Sequence, residues 1–453
     1  KLLEPEHTHT ATTLNNIGRV YYFKGDYHTA LTAYNEALII RKAVLGENHL
    51  DTAATSYNAG QTCCRTGDKT TALQLYGDFI RIAVPKLGMN HRDISTVYKC
   101  MAQIYHEEQQ FAKAIELYSV CLKTGIVALG EKHPEIASTL NKLGNLFYEK
   151  GDLDSAVGVY KRGLRIEREL LCASHPNIAV TLTNIGQIYR RKRDFENALP
   201  LYKEALRVQR ESLGRDHPSV AVTLSIIALT YYERKSFKKA LRLYDEALQI
   251  RRNAMGNMHV EVATTLNSLG LVLFKLGLHG VAMESFSESL KIRRELLGKD
   301  HPEVAIIAYN IASTYLEQGE DGEALKYYRE TLRIERKAVG NDHTDCVFTL
   351  RHIAQVYEQQ GDLDEALEYY EEILRILDRG EDSNEEKELT RWNTLNRMAN
   401  VYFYQGNAPK VVSSLSEAVR LLHLAGRNEE ELKLYGFHLY GFSSVYPAAA
   451  ACA

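Results

Sequence analysis

Between Pro218 and Tyr231 the apolar positions Leu224, Ile227, Ala228 and Tyr231 recur at three- and four-residue spacing, the signature of one helix face. Pro218 stands where a missing N–H costs nothing, in the first turn, so a helix A is predicted from there. A polar turn near Lys235 follows, and a helix B is predicted from Phe237 to Ala254, closed by Gly256.

The same pattern returns every 42 residues, as from His175 to His217. His7, His49, His91, His133, His175, His217, His259, His301 and His343 keep one register. So does Ala at 30, 72, 114, 156, 198, 240, 282, 324 and 366. Twelve residues before each Ala stands Gly or Ala, and four after it an aromatic: Gly186 and Tyr202 flank Ala198 in this way. Small residues at a crossing with a ring beside them let two antiparallel helices approach closely. The A–B turn is Gly in six copies (Gly25, Gly67, Gly151, Gly277, Gly319, Gly361), followed in several by Asp, which caps the next helix. Two departures are expected. Cys172 replaces the Gly that ends helix B, so that end should differ, and Pro85 should end the second helix B a turn early.

These columns resemble the tetratricopeptide repeat in the 42-residue form of the kinesin light chain, through stretches such as "LGRDHPSVAVTL", "LGKDHPEVA" and "TLNNIGRVYYFKGDYHTALTAYNEALIIRKAVLG". The resemblance covers roughly residues 1–420. It implies an all-α, right-handed superhelical solenoid of antiparallel helix pairs, with the A helices lining a concave wall and the B helices outside. Nine repeats occupy residues 1–378, an acidic linker 379–391, a degenerate tenth repeat 392–424, a capping helix 425–446 and a tail 447–453. "KLLEP" aligns with the close of a helix B, so the chain is expected to begin inside a longer array.

The resemblance also implies which residues face a ligand, namely those flanking the Leu and Gly columns of helix A. Mapped onto this chain they are Asn15, Asn16 and Arg19; Asn58, Gln61 and Arg65; Lys99; Asn141, Lys142 and Asn145; Asn184, Gln187 and Arg190; then Asn267 and Asn310. Tyr57, Gln103, Arg191, Lys275, Tyr309, Arg351, His352 and Gln355 extend the same columns. A primary amide can bond both the N–H and the C=O of an extended peptide, which suits such a ladder to main-chain recognition; alternatively these amides bridge adjacent repeats. Groove charges in the first five copies are mainly basic, against Glu107 and Glu149, whereas Glu233, Glu317 and Glu358 enter later. An acidic peptide or loop is therefore expected in the amino-terminal half.

Composition narrows the function. The chain has 453 residues, 45% hydrophobic and 25% charged, which suits a large core. A formal charge of −3 gives no reason to expect nucleic-acid or membrane-surface binding. No apolar run is long enough to span a bilayer, so no membrane insertion is expected. Seven irregularly spaced cysteines argue for a reducing, cytoplasmic setting. There is no GxxxxGK[ST], GxSxG, HExxH or CxxC, so neither enzyme nor cofactor is expected. The register histidines are one per repeat and do not converge as metal ligands; each is expected to start helix A and pack or bond against its neighbour. Cys64 and Cys100 fall on groove-facing columns of neighbouring repeats, as small apolar residues or as a redox pair. Three functions stay open: a peptide-binding scaffold or adaptor, a structural subunit held by its convex face or edges, and a sensor array for an effector domain outside this chain.

Overall fold

The computed structural model describes residues 8–379 and 385–424; the expected capping helix and tail lie outside them. Among the described residues there are twenty α-helices and no strand. The chain forms two compact units, residues 1–230 and 231–453, divided within α11. Consecutive helices pack as antiparallel pairs, so the fold is an all-α solenoid.

The first unit holds α1 (Thr8–Lys24), α2 (Tyr27–Leu45), α3 (Leu50–Thr66), α4 (Lys69–Leu87) and α5 (Arg92–Glu107). It continues with α6 (Phe111–Leu129), α7 (Pro134–Lys150), α8 (Leu153–Leu170), α9 (Pro176–Arg191), α10 (Phe195–Leu213) and most of α11 (Pro218–Glu233). The second holds α12 (Phe237–Met255), α13 (Val260–Lys275), α14 (His279–Leu297), α15 (Pro302–Glu317) and α16 (Asp321–Val339). It ends with α17 (Cys346–Gln360), α18 (Leu363–Arg379), α19 (Glu385–Tyr404) and α20 (Ala408–Leu424). Odd-numbered helices are the A helices.

The core of each pair is the small–aromatic contact. Tyr202 is fully buried, and a Cβ built on Gly186 would lie 2.5 Å from its ring. Gly18, Gly60, Gly144 and Gly270 press equally closely on Tyr34, Tyr76, Tyr160 and Phe286. A fully buried aromatic contributes on the order of 3 kcal/mol, so this column accounts for much of each pair's cohesion.

His7 lies outside the described residues; from His49 to His343 each register histidine bonds within its own helix start. Its Nδ1 accepts the N–H two residues on: His49 from Asp51 at 3.1 Å, His133 from Glu135 at 3.2 Å, His217 from Ser219 at 3.2 Å. The imidazole thus replaces one of the hydroxyl or carboxylate N-caps that helices usually use. The B helices take Asp caps where the sequence offers them, as Asp26 accepting from Thr29 N–H and Asp152 from Ser155 N–H.

The A–B turn demands a left-handed residue in every repeat. The six glycines there have φ between 76° and 89°, and the other three copies force Gln109, Arg193 and Lys235 to φ 59°. At Cys172 the helix does end differently: α8 stops at Leu170, with Leu171 extended at φ −110° in place of a left-handed glycine. Pro85 does not shorten its helix. It sits in the last turn of α4, which runs on to Leu87 and is closed by Gly88 N–H donating to Val84 O at 2.9 Å. The stretch expected as a linker is partly helical, because α19 begins at Glu385, seven residues before the expected tenth repeat.

Candidate functional site

Within each unit, a residue on one A helix meets the residue 43 positions later on the next. Asn58 Nδ2 donates to Asn15 Oδ1 at 3.1 Å, and Asn310 Nδ2 to Asn267 Oδ1 at 2.8 Å. Arg65 Nε reaches the Tyr22 hydroxyl at 3.4 Å, and Arg191 the Tyr148 carbonyl at 3.3 Å. Many of the amides expected to face a ligand are therefore committed inside the array. Gln61 donates to the Tyr57 hydroxyl at 2.5 Å, and the Tyr160 hydroxyl donates to Asn145 Oδ1 while also meeting Asn184. Asn16 and Arg19 are exposed, and Gln187 and Arg190 are half-buried on α9.

Lys99 and Lys142 stand in the same relation as the two Asn–Asn pairs. Where the amides bond each other, this pair brings two like charges near enough for Lys99 to act on Lys142, and neither forms an ion pair among the described residues. Burial, and after it the charge of Lys99, holds the Lys142 ammonium below the usual lysine range. Of the nearby acids, Glu107 is ion-paired with Lys69 at 3.0 Å, and Glu149 shares a hydrogen bond with His106 Nε2 at 2.7 Å.

A cleft of about 480 Å3 opens between α7 and α9. Asn141, Lys142 and Asn145 line one side, Asn177, Val180 and Asn184 the other, and Glu167 lies among its lining residues. Glu167 is 4% exposed and accepts from Asn141 Nδ2 and Thr181 Oγ1, each at 2.8 Å. Burial pushes its carboxyl up. The sequence-based selection passed over Glu167 because it lies on helix B; the signal was available in its column, which reads Arg41, Glu167, Arg251, Arg293 and Glu335 among apolar, small or amide residues.

Between α15 and α17 the A-helix face is aromatic. Tyr309 lies 5.3 Å from Phe348 and 5.4 Å from His352, and Arg351 stands 5.0 Å over the Phe348 ring. Burial drives the His352 imidazole down to about 4. Glu335 on α16 accepts from Thr349 at 3.1 Å, and burial raises its carboxyl to about 7.

The cysteines at the groove are protonated thiols. Cys64 Sγ lies 3.6 Å from the Tyr76 hydroxyl, and burial pushes Cys64 and Cys100 up. Among the described residues no three of His, Cys, Asp and Glu gather as a metal site, and no helix is long and apolar enough to cross a membrane.

The tetratricopeptide repeat model matches residues 2–83, 93–169, 177–253, 261–337 and 322–379. None of the curated proteins compared with the chain matches it. Among solved structures, BtubC (BKLC) from P. vanneervenii is 20% identical with a TM-score of 0.44, over 51% of this chain and 91% of that one. A Podosopora anserina putative kinesin light chain of nearly identical repeats is 19% identical with a TM-score of 0.42, over 46% and 98%. The apo form of RapI is 20% identical with a TM-score of 0.44, over 63% and 99%.

Proposed function

Because the chain belongs to the tetratricopeptide repeat family, whose members generally act as protein-interaction scaffolds, we propose that it is a non-enzymatic adaptor whose A-helix wall binds an extended acidic segment of a partner protein. The facing pair Lys99 and Lys142 carries this reading. Two half-buried like charges repel, and an anion laid between them converts that repulsion into two charge-assisted contacts. Asn16, Arg19 and Gln187 offer further donors along the same face.

The B helices favour the A face by contrast. Arg168 pairs with Glu204 at 2.7 Å, Arg252 with Glu288 at 2.7 Å, Arg294 with Glu330 at 2.6 Å and Arg336 with Glu372 at 2.6 Å. Those pairs tie α8 to α10 in the first unit and α12, α14, α16 and α18 in sequence in the second, and neutralise the charges concerned, leaving less for a partner. Selection of ligands from a random peptide library on the immobilised chain tests the proposal. Enrichment of Glu and Asp that disappears on Lys99→Glu/Lys142→Glu supports it. Enrichment without acidic bias, or bias unchanged by the reversal, turns the reading toward a structural subunit engaged elsewhere.

A further inference from the structure

Glu167 occupies a position that three other repeats give to a guanidinium. Arg41, Arg251 and Arg293 are each about 5–6% exposed, at the seam between one helix B and the following helix A. Arg41 donates to Asp51 O at 2.7 Å and to Thr55 Oγ1 at 2.5 Å, and reaches Thr12 Oγ1 at 3.3 Å. Arg251 donates to Thr265 Oγ1 and pairs with Glu261 at 3.1 Å. Arg293 donates to Thr264 Oγ1 at 3.0 Å and pairs with Glu303 at 3.1 Å. In each case one planar fork joins a threonine hydroxyl to an acceptor at the start of helix A.

In the fourth repeat the polarity is reversed. Thr181 stands where Thr55 and Thr265 meet Arg41 and Arg251, but the cation is replaced by Glu167, and the position of Glu261 and Glu303 is taken by neutral Asn177. Acceptors now outnumber donors. Asn141 uses its amide nitrogen on Glu167 Oε1 and on Thr181 Oγ1 at 3.0 Å, and its own Oδ1 is shielded without a partner. Beside this donor-poor set lies the cleft, bounded by Glu167, Asn177 and Val180. Repeat eight also carries a glutamate in this column, Glu335, but there Tyr309, packed on Tyr328 and Phe348, replaces the residue equivalent to Asn141.

We propose that the cleft between α7 and α9 receives an arginine side chain of the bound segment, whose guanidinium pairs with the Glu167 carboxylate. This rests on the A-helix face being the ligand wall, and gives that ligand one basic residue within an acidic stretch. The incoming fork supplies from outside the cation that Arg41, Arg251 and Arg293 supply from within. A buried carboxylate gains strongly from such a partner, since its desolvation is already incurred in the free protein. Arginine fits better than lysine, because a flat fork can bond carboxylate and amide oxygen together whereas an ammonium is a point charge. Lys142 on the rim does not block it: its ammonium is turned over the Tyr118 ring, 6.0 Å away in the preceding repeat.

The test uses N-acetyl-arginine amide as probe and its neutral isostere N-acetyl-citrulline amide, observed by saturation-transfer NMR on the whole chain. The arginine probe should bind about tenfold or more tightly than the citrulline one, and Glu167→Gln should remove that difference. Glu335→Gln should leave it intact. Should Glu167→Gln lose helicity, Glu167→Arg/Asn177→Glu rebuilds the pair seen at Arg251 and Glu261; it should stay folded and fail to bind the probe. Equal binding of the two probes, no binding of either, or undiminished binding to a folded Glu167 variant overturns the proposal. The arginine probe carries no acidic group, so its failure is distinct from failure of the acidic-segment reading.

Discussion

Asn58 Nδ2 donates to Asn15 Oδ1 at 3.1 Å across the first two repeats. The pair sits on the face expected to hold a ligand, yet its hydrogen-bonding capacity goes to the array itself. Asn58→Ala should therefore cost about 1 kcal/mol of stability. Hydrogen exchange should show the loss in α1 and α3, while binding of an acidic peptide changes little.

Helix capping by the register histidines gives a second expectation. His133→Ala removes the acceptor for Glu135 N–H and should cost about 1 kcal/mol, whereas His133→Asn, which can still accept, should restore most of it. Chelator should leave the melting temperature of wild type unchanged. A stability loss on chelation would return these residues to the metal reading.

Strain at the A–B turn can be relieved. Arg193 and Lys235 hold φ 59° where six other repeats place glycine. Arg193→Gly and Lys235→Gly should each raise stability by up to about 1 kcal/mol, in contrast to the usual effect of glycine, since the left-handed conformation costs other residues more. Urea denaturation measures the sign.

Glu335 makes stability depend on pH. Its carboxyl is raised from 4.5 to about 7 by burial, with Asp345 adding to the effect. The folded state thus holds a proton that the unfolded chain releases, so the contribution is complete below about pH 4.5 and lost as pH rises through about 7. Relative to Glu335→Gln, wild type should lose at most about 3 kcal/mol between pH 4.5 and 8. His352, lowered by burial from 6.5 to about 4, acts in the opposite direction between about pH 4 and 6.5, within much of the same window, and comparison of the two chains cancels it.

The sequence made the helix pairs legible because packing at a crossing admits few residue types. Gly186 against Tyr202 leaves no room for alternatives, and such columns recur visibly. The histidine column was equally visible, but its role was not: an acceptor bonded two residues ahead in its own helix leaves the same trace as a contact with the next repeat. The wall was read least well. Nothing in the order of residues shows that Asn15 and Asn58 are bonded together while Lys99 and Lys142 oppose each other, since that depends on a 43-residue offset between helices that a 42-residue repeat conceals. Glu167 was missed for a related reason, since it stands on a B helix but lines a cleft between two A helices.

The most direct measurement of the central claim is titration of a fluorescein-labelled Glu/Gly peptide against wild type and Lys99→Glu/Lys142→Glu, by anisotropy, between about 0.05 M and 0.5 M salt. Partly exposed contacts should weaken steadily as salt rises. Reversing both charges should lower affinity about tenfold or more at low salt and flatten the salt dependence, with helicity unchanged. Equal affinity and equal salt slope in the two proteins would contradict an acidic ligand held between α5 and α7.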